Sequence, residues 1–125
     1  MTATKYVTKD NWKHKEFSTG MLRDTNENKP RFDLLHPLWI PYQEQMLTRF
    51  AELLGRWAIK YAERNREKAE TIEELNRFKE SASRHFEQRL TWEQDEDHAS
   101  AVWFNIMGAE MVKYKLLIKS LSNNK

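Results

Sequence analysis

The chain has no cysteine, only three glycines and only three prolines in 125 residues. Without thiols there can be no disulfide framework and no thiolate metal centre. This suits a reducing compartment, and a cytoplasmic location is expected. No apolar run approaches the roughly 20 residues of a membrane span, and the N-terminus lacks a signal-peptide hydrophobic segment. No membrane partner is therefore expected. Charge of one sign is lacking too: 21 Lys and Arg face 19 Asp and Glu, for a net +2. That balance is too mild to indicate a nucleic-acid partner. Glycine-rich phosphate loops, HExxH and a Ser or Cys nucleophile arrangement are also missing. Few breakers and 32% charged residues remain, a composition that predicts an all-α protein.

Size predicts a single domain with one core, spanning residues 1–125. Residues 1–30 are polar, without sustained periodicity, and contain turn-forming tracts (STG, DTNEN, KP). They read as an extended arm with isolated packing anchors Tyr6, Trp12, Phe17 and Met21. Lysines 5, 9, 13 and 15 there suit a solvated tail better than a single-stranded nucleic-acid surface. A helical core is expected over 31–121. All prolines fall in 30–41, so the first helix is predicted only after Pro41, over about 42–63. Its apolar face is Met46, Phe50, Leu53, Leu54, Trp57, Ala58 and Tyr61, at steps of three and four. A second helix is predicted over about 72–90, with Thr71 and Glu74 forming a capping box. A third is predicted over about 96–121, with Asp95 as N-cap. This last helix is apolar on two sides. One stripe is His98, Ala101, Val102, Asn105, Ala109, Val112 and Leu116; the other is Trp103, Met107, Met111, Tyr114 and Ile118. A helix apolar on both flanks is central or faces a second subunit, so a homodimer or larger assembly is expected.

Polar residues interrupt these stripes. His85 and Arg89 lie on the apolar face of the second helix, His98 and Asn105 on that of the third, and Arg64 and Asn65 continue the first. Burying such groups costs free energy unless they are hydrogen-bonded or bind something. Between them lies the junction RHFEQRLTWEQDEDHASAVWFN, residues 84–105, where four acids fall within 93–97. Capping and the helix dipole account for Asp95, Glu96 and Asp97 alone. Arg89 and Glu93 also have the spacing of an ordinary i,i+4 ion pair. Those explanations leave His85, His98 and Asn105 unexplained.

The tracts TGMLRDTNENKPRFDLL, KYAERN, RFKESASRHFEQ and WEQDEDHASAVWFNIMGAE occur in that order. Together they resemble a family of small, mostly phage-encoded proteins, the dATP/dGTP diphosphohydrolase N-terminal domain family, over about residues 19–112. That family is related to the all-α MazG-like nucleotide pyrophosphohydrolases. The resemblance implies an all-α fold in which helix-borne acids hold Mg²⁺, which binds a triphosphate and activates water. It also implies a host cytoplasm as the location. Lys60, Tyr61, Arg64 and Asn65 match the KYxxRN motif, Arg84 and His85 the RH pair, and Glu93, Glu96, Asp97, His98 and Asn105 the acidic tract. Arg23, Asp24, Lys29, Arg31 and Asp33 match the arm.

The expected activity is release of pyrophosphate from a purine (deoxy)nucleoside triphosphate. In it, Glu93, Glu96 and Asp97 hold the metal, and His85 or His98 orients water or phosphate. Lys60, Arg64, Arg84 and Arg89 contact the triphosphate, Asn65 and Asn105 the base or sugar, and Lys29 and Arg31 close over the phosphates. The chain departs from the pattern at Arg66, where the family has Trp, and at Trp92, where it has Gly. The ExxE and ExxD pairs of MazG-like enzymes are incomplete too: Glu52 lies on a polar face, and 93–96 spans a turn. Two other readings stay open: a non-catalytic protein that binds or sequesters a nucleotide, and a helical interaction protein with an incidental acidic turn.

Overall fold

The computed structural model describes residues 7–25 and 27–123. Lys5 and Tyr6, expected as parts of the arm, lie outside the described residues, as does Asn26. The chain forms two compact units that divide between Leu34 and Leu35.

The N-terminal unit contains more structure than an extended arm. β1 (His14–Glu16) and β2 (Leu22–Asp24) pair antiparallel, with His14 opposite Asp24 and Glu16 opposite Leu22. The Ser-Thr-Gly tract makes the reversal. Gly20 donates to the Phe17 carbonyl, Phe17 donates to Met21, and Gly20 adopts φ 88°. A three-residue hairpin loop needs a left-handed residue at this place, which glycine supplies without strain. Asn11 adds a clasp by donating to the Thr25 carbonyl and hydroxyl. Trp12, Phe17 and Met21 remain exposed.

The larger unit is all-α. After the prolines the chain makes a short 3-10 turn, Tyr42–Glu44, and Gln45 is extended. The first α-helix, α1 (Met46–Tyr61), therefore starts four residues later than the proline positions predict. α2 (Ile72–Leu90) has the expected bounds because its capping box forms. The Thr71 hydroxyl accepts from Glu74 N–H, and the Glu74 carboxylate accepts from Thr71 N–H. α3 (His98–Asn123) starts at His98, with Asp97 rather than Asp95 capping it. The reason is local: Asp97 accepts from the Ser100 N–H at 3.1 Å, whereas the Asp95 carboxylate is taken by the His98 ring. No described helix is long and apolar enough to cross a membrane.

α2 and α3 form the main helix pair, and α1 crosses α3. Phe50, Leu53 and Phe104 are buried together, with Leu54, Phe78 and Trp103 packed around them. Val112 is fully buried further along α3. Gly108 permits the close α2–α3 approach: a methyl there would stand 2.5 Å from the Phe78 ring. The first predicted stripe of α3 is the packed one. The other is largely open, with Met107, Tyr114 and Ile118 exposed.

Candidate functional site

The segment between α1 and α2 turns back sharply. Ala62 has φ 83° and ψ 157°, and Arg64 is left-handed at φ 58°. These unusual conformations allow the next 3-10 turn, Asn65–Lys68, to fold back against α3. Lys115 of α3 fastens it by donating to the carbonyls of Glu67 and Ala69. A cleft of about 1210 Å³ opens between this turn, α1, α2 and the start of α3.

Most of the expected site residues reach this cleft. Lys60, Arg64 and Arg84 supply its basic side with Asn65 among them, and His85, Glu96, Asp97 and Asn105 lie towards the α2–α3 junction. Sequence reasoning missed Arg66, Lys68, Arg77 and Gln88, which line it as well. Arg64 pairs with Glu67, and Arg77 with Glu80, both on the surface. Lys60 lies over the rings of Trp57 and Tyr61, at 5.6 and 4.9 Å. Trp57 in turn stacks on Phe104 at 5.0 Å, so an aromatic wall flanks the cations.

The two histidines meet at the junction. His85 Nδ1 and His98 Nδ1 are 2.8 Å apart, and His98 Nε2 is 2.7 Å from Asp95 Oδ1. His98 is 1% exposed, so every ring nitrogen must be paired within the protein. The carboxylate requires Nε2 of His98 to be the donor, which leaves Nδ1 as acceptor in the neutral ring. His85 must then donate from its own Nδ1, and its Nε2 carries a free lone pair. Burial lowers the His85 pKa from its ordinary value, and the neighbouring His98 and Arg84 lower it further. The hydrogen bond from His98 lowers that of Asp95. With both rings neutral, the pair offers an unprotonated imidazole nitrogen, His85 Nε2, beside the cleft.

The acids divide into distinct roles. Glu93, Asp95 and His98 place one donor atom each within 4.8 Å of one another, and so do His85, Glu96 and His98. Glu93 is also held by Gln88 Nε2 at 2.9 Å. Asp97 belongs to neither group. Arg49 grips both of its oxygens, at 2.6 and 2.8 Å, and Ser100 donates to it from backbone and hydroxyl. Burial alone would raise the Asp97 pKa; these donors more than offset it and hold it at about 2. Asp97 thus joins α1 to the start of α3. The aspartate three residues before Ser100 was the available sequence sign of this cap.

Four further expected residues, Arg89, Asn105, Lys29 and Arg31, have other contacts or positions. Arg89 stacks over Trp92 at 4.2 Å and does not line the cleft. Trp92 itself has φ 60°. It ends α2 in a Schellman turn, with Trp92 N–H to Arg89 and Glu93 N–H to Gln88. The turn thus keeps the left-handed geometry usual for glycine, although a tryptophan occupies it. Asn105 is buried, and its amide donates to the Ala101 carbonyl at 2.7 Å, which accounts for a polar residue in mid-helix. Lys29 and Arg31 belong to the N-terminal unit, where Arg31 makes a bidentate pair with Asp33.

The family model for dATP/dGTP diphosphohydrolase, N-terminal, matches residues 18–119. The chain belongs to this family. The match spans β2, all three α-helices up to Lys119 and the whole cleft; β1 precedes it. No curated protein matches the chain, and no solved structure does. The family is named for a diphosphohydrolase of two purine deoxynucleotides, and a nucleotide is the substrate class this implies.

Proposed function

We propose that the chain is a Mg²⁺-dependent diphosphohydrolase that cleaves a purine deoxynucleoside triphosphate to monophosphate and pyrophosphate. The observation that carries this reading is the division of one cleft into a basic, aromatic-walled side and an acid–imidazole end. A triphosphate needs cations, and an in-line attack by water needs a base near the α-phosphorus.

In this reading Lys60, Arg64 and Arg84 draw the phosphates into the cleft. Asn65, in the turn, offers an amide to the base or sugar. Mg²⁺ held for phosphate chemistry takes one or two carboxylates together with substrate oxygens. The exposed carboxylates of Glu93, Asp95 and Glu96 fit that requirement; Asp97, gripped by Arg49, is a structural residue. When bound, the ion neutralises phosphate charge and lowers the pKa of water. His85 takes the water proton at Nε2. The resulting positive charge is shared through Nδ1 with His98, which Asp95 stabilises through Nε2. The water oxygen bonds to the α-phosphorus, the bond from that phosphorus to the bridging oxygen breaks, and pyrophosphate leaves.

Self-association belongs to the same proposal, with a second copy covering the open α3 stripe of Met107, Tyr114 and Ile118. The test of the mechanism is turnover of dATP and dGTP by wild type and His85→Asn at matched thermal stability. A base of this kind contributes roughly 10²–10⁴-fold. Turnover by the variant within a factor of three of wild type would remove His85 from the reaction.

A further inference from the structure

Among the described residues, two buried side-chain atoms have no hydrogen-bond partner: Arg66 Nη1 and Gln88 Oε1. Both residues line the same cleft. Gln88 is otherwise tied by its amide to Glu93, but among the described residues Arg66 forms no salt bridge. Its neighbour Glu67 is taken by Arg64.

Arg66 is nonetheless held firmly. Its guanidinium carbon lies 4.8 Å from the Phe104 ring centre and 5.7 Å from that of Phe50, two members of the buried core. The turn that carries it is fastened from below by Lys115. A flexible arginine would swing into water to recover its hydration, whereas this one is fixed while partly desolvated. Of its three nitrogens only Nη1 is shut away without a partner, which leaves Nε and Nη2 to meet a ligand. A guanidinium held over aromatic rings and without a salt-bridge partner among the described residues is suited to bidentate capture of an oxyanion. The nearby Arg64 and Lys68 make an anion still more favourable there.

We propose that Arg66 is a phosphate-contacting residue of the cleft, gripping a phosphoryl oxygen with the guanidinium edge that does not face the core. This rests on the nucleotide reading for the identity of the substrate, but not for the oxyanion chemistry. The shared chemistry is a phosphate oxygen, which either a nucleotide or an inorganic polyphosphate supplies.

The experiment is calorimetric titration of the full chain with dGTP, inorganic tripolyphosphate and deoxyguanosine, without divalent metal. Wild type is compared with Arg66→Met, which keeps the stem on the rings, and Arg66→Lys, which keeps the charge. Charge-assisted hydrogen bonds are worth enough that Arg66→Met should weaken dGTP and tripolyphosphate by roughly 10–100-fold. Deoxyguanosine binding should not change, and Arg66→Lys should fall between. Should the methionine variant fail to fold, a loss of about tenfold in the lysine variant carries the same conclusion. Wild-type affinity for both anions in the folded variants overturns the assignment, and so does a parallel loss of deoxyguanosine binding. If dGTP binds no better than tripolyphosphate and both depend on Arg66, the assignment stands and the nucleotide reading falls. If wild type binds none of the three, both are overturned.

Discussion

Removing the charge of Asp97 while keeping its shape should cost the larger unit about 2 kcal/mol. Asp97 is 18% exposed and Arg49 25%, so their two-pronged contact is only partly screened. Folding lowers the Asp97 pKa from 3.8 to about 2. At about 1.4 kcal/mol per unit this shift corresponds to roughly 2–2.5 kcal/mol at neutral pH. Asn caps helices as well as Asp, so Asp97→Asn isolates the charge, and Asp97→Ala should lose about 1 kcal/mol more with the cap. The assay is urea denaturation of wild type and both variants at pH 7, followed by far-UV circular dichroism. The pH dependence has a definite sign. The depressed pKa gives stability that is fully present above about pH 4 and is lost as pH falls towards 2. The gap between wild type and Asp97→Asn should therefore close over that range. A gap below about 0.5 kcal/mol at pH 7, or one unchanged at pH 2.5, would refute the role given to this pair.

Other expectations follow from single residues. Ala62→Gly should raise stability by about 1 kcal/mol in thermal melting, because a backbone region natural only to glycine strains alanine; unchanged or lower stability would show the turn to be relaxed. Gly108→Ala should lower stability by roughly 1–2 kcal/mol despite alanine's better helix propensity, since its methyl meets the Phe78 ring; a more stable variant would contradict the close α2–α3 approach. The acid limb of the pH–rate profile should lie below the ordinary histidine value, because burial lowers the His85 pKa; a limb at or above 6.5 would assign it to another group. Sedimentation velocity should show a dimer or larger species that Ile118→Asp dissociates; a monomeric wild type would remove the proposed partner of α3.

The parts of the fold most legible in the sequence were those fixed by local chemistry. The α2 bounds follow from Thr71 and Glu74, and the hairpin reversal follows from Ser18-Thr19-Gly20. His85 and His98 stood out because imidazoles on apolar stripes need partners, and each is a partner of the other. Other features depend on contacts distant in sequence. Periodicity places α1 after Pro41 but does not show that Tyr42–Glu44 forms a separate turn. An acidic run offers several caps, and the choice of Asp97 over Asp95 depends on Arg49, 48 residues away. Arg66 read as part of a charged connector. Its place on Phe50 and Phe104 requires the reversal at Ala62 and Arg64, two residues whose side chains do not favour positive φ. The junction acids likewise looked equivalent until their partners separated Asp97, which holds the fold, from Glu93, Asp95 and Glu96.

The most direct test of the proposed activity is product analysis. The full chain is incubated with dATP, dGTP, dCTP or dTTP and Mg²⁺, and the products are separated by anion-exchange chromatography. The account predicts deoxynucleoside monophosphate and pyrophosphate in equal amounts, from the purine nucleotides first, with loss of product in His85→Asn. Saturable nucleotide binding without any product would contradict it and leave a protein that holds a nucleotide without cleaving it.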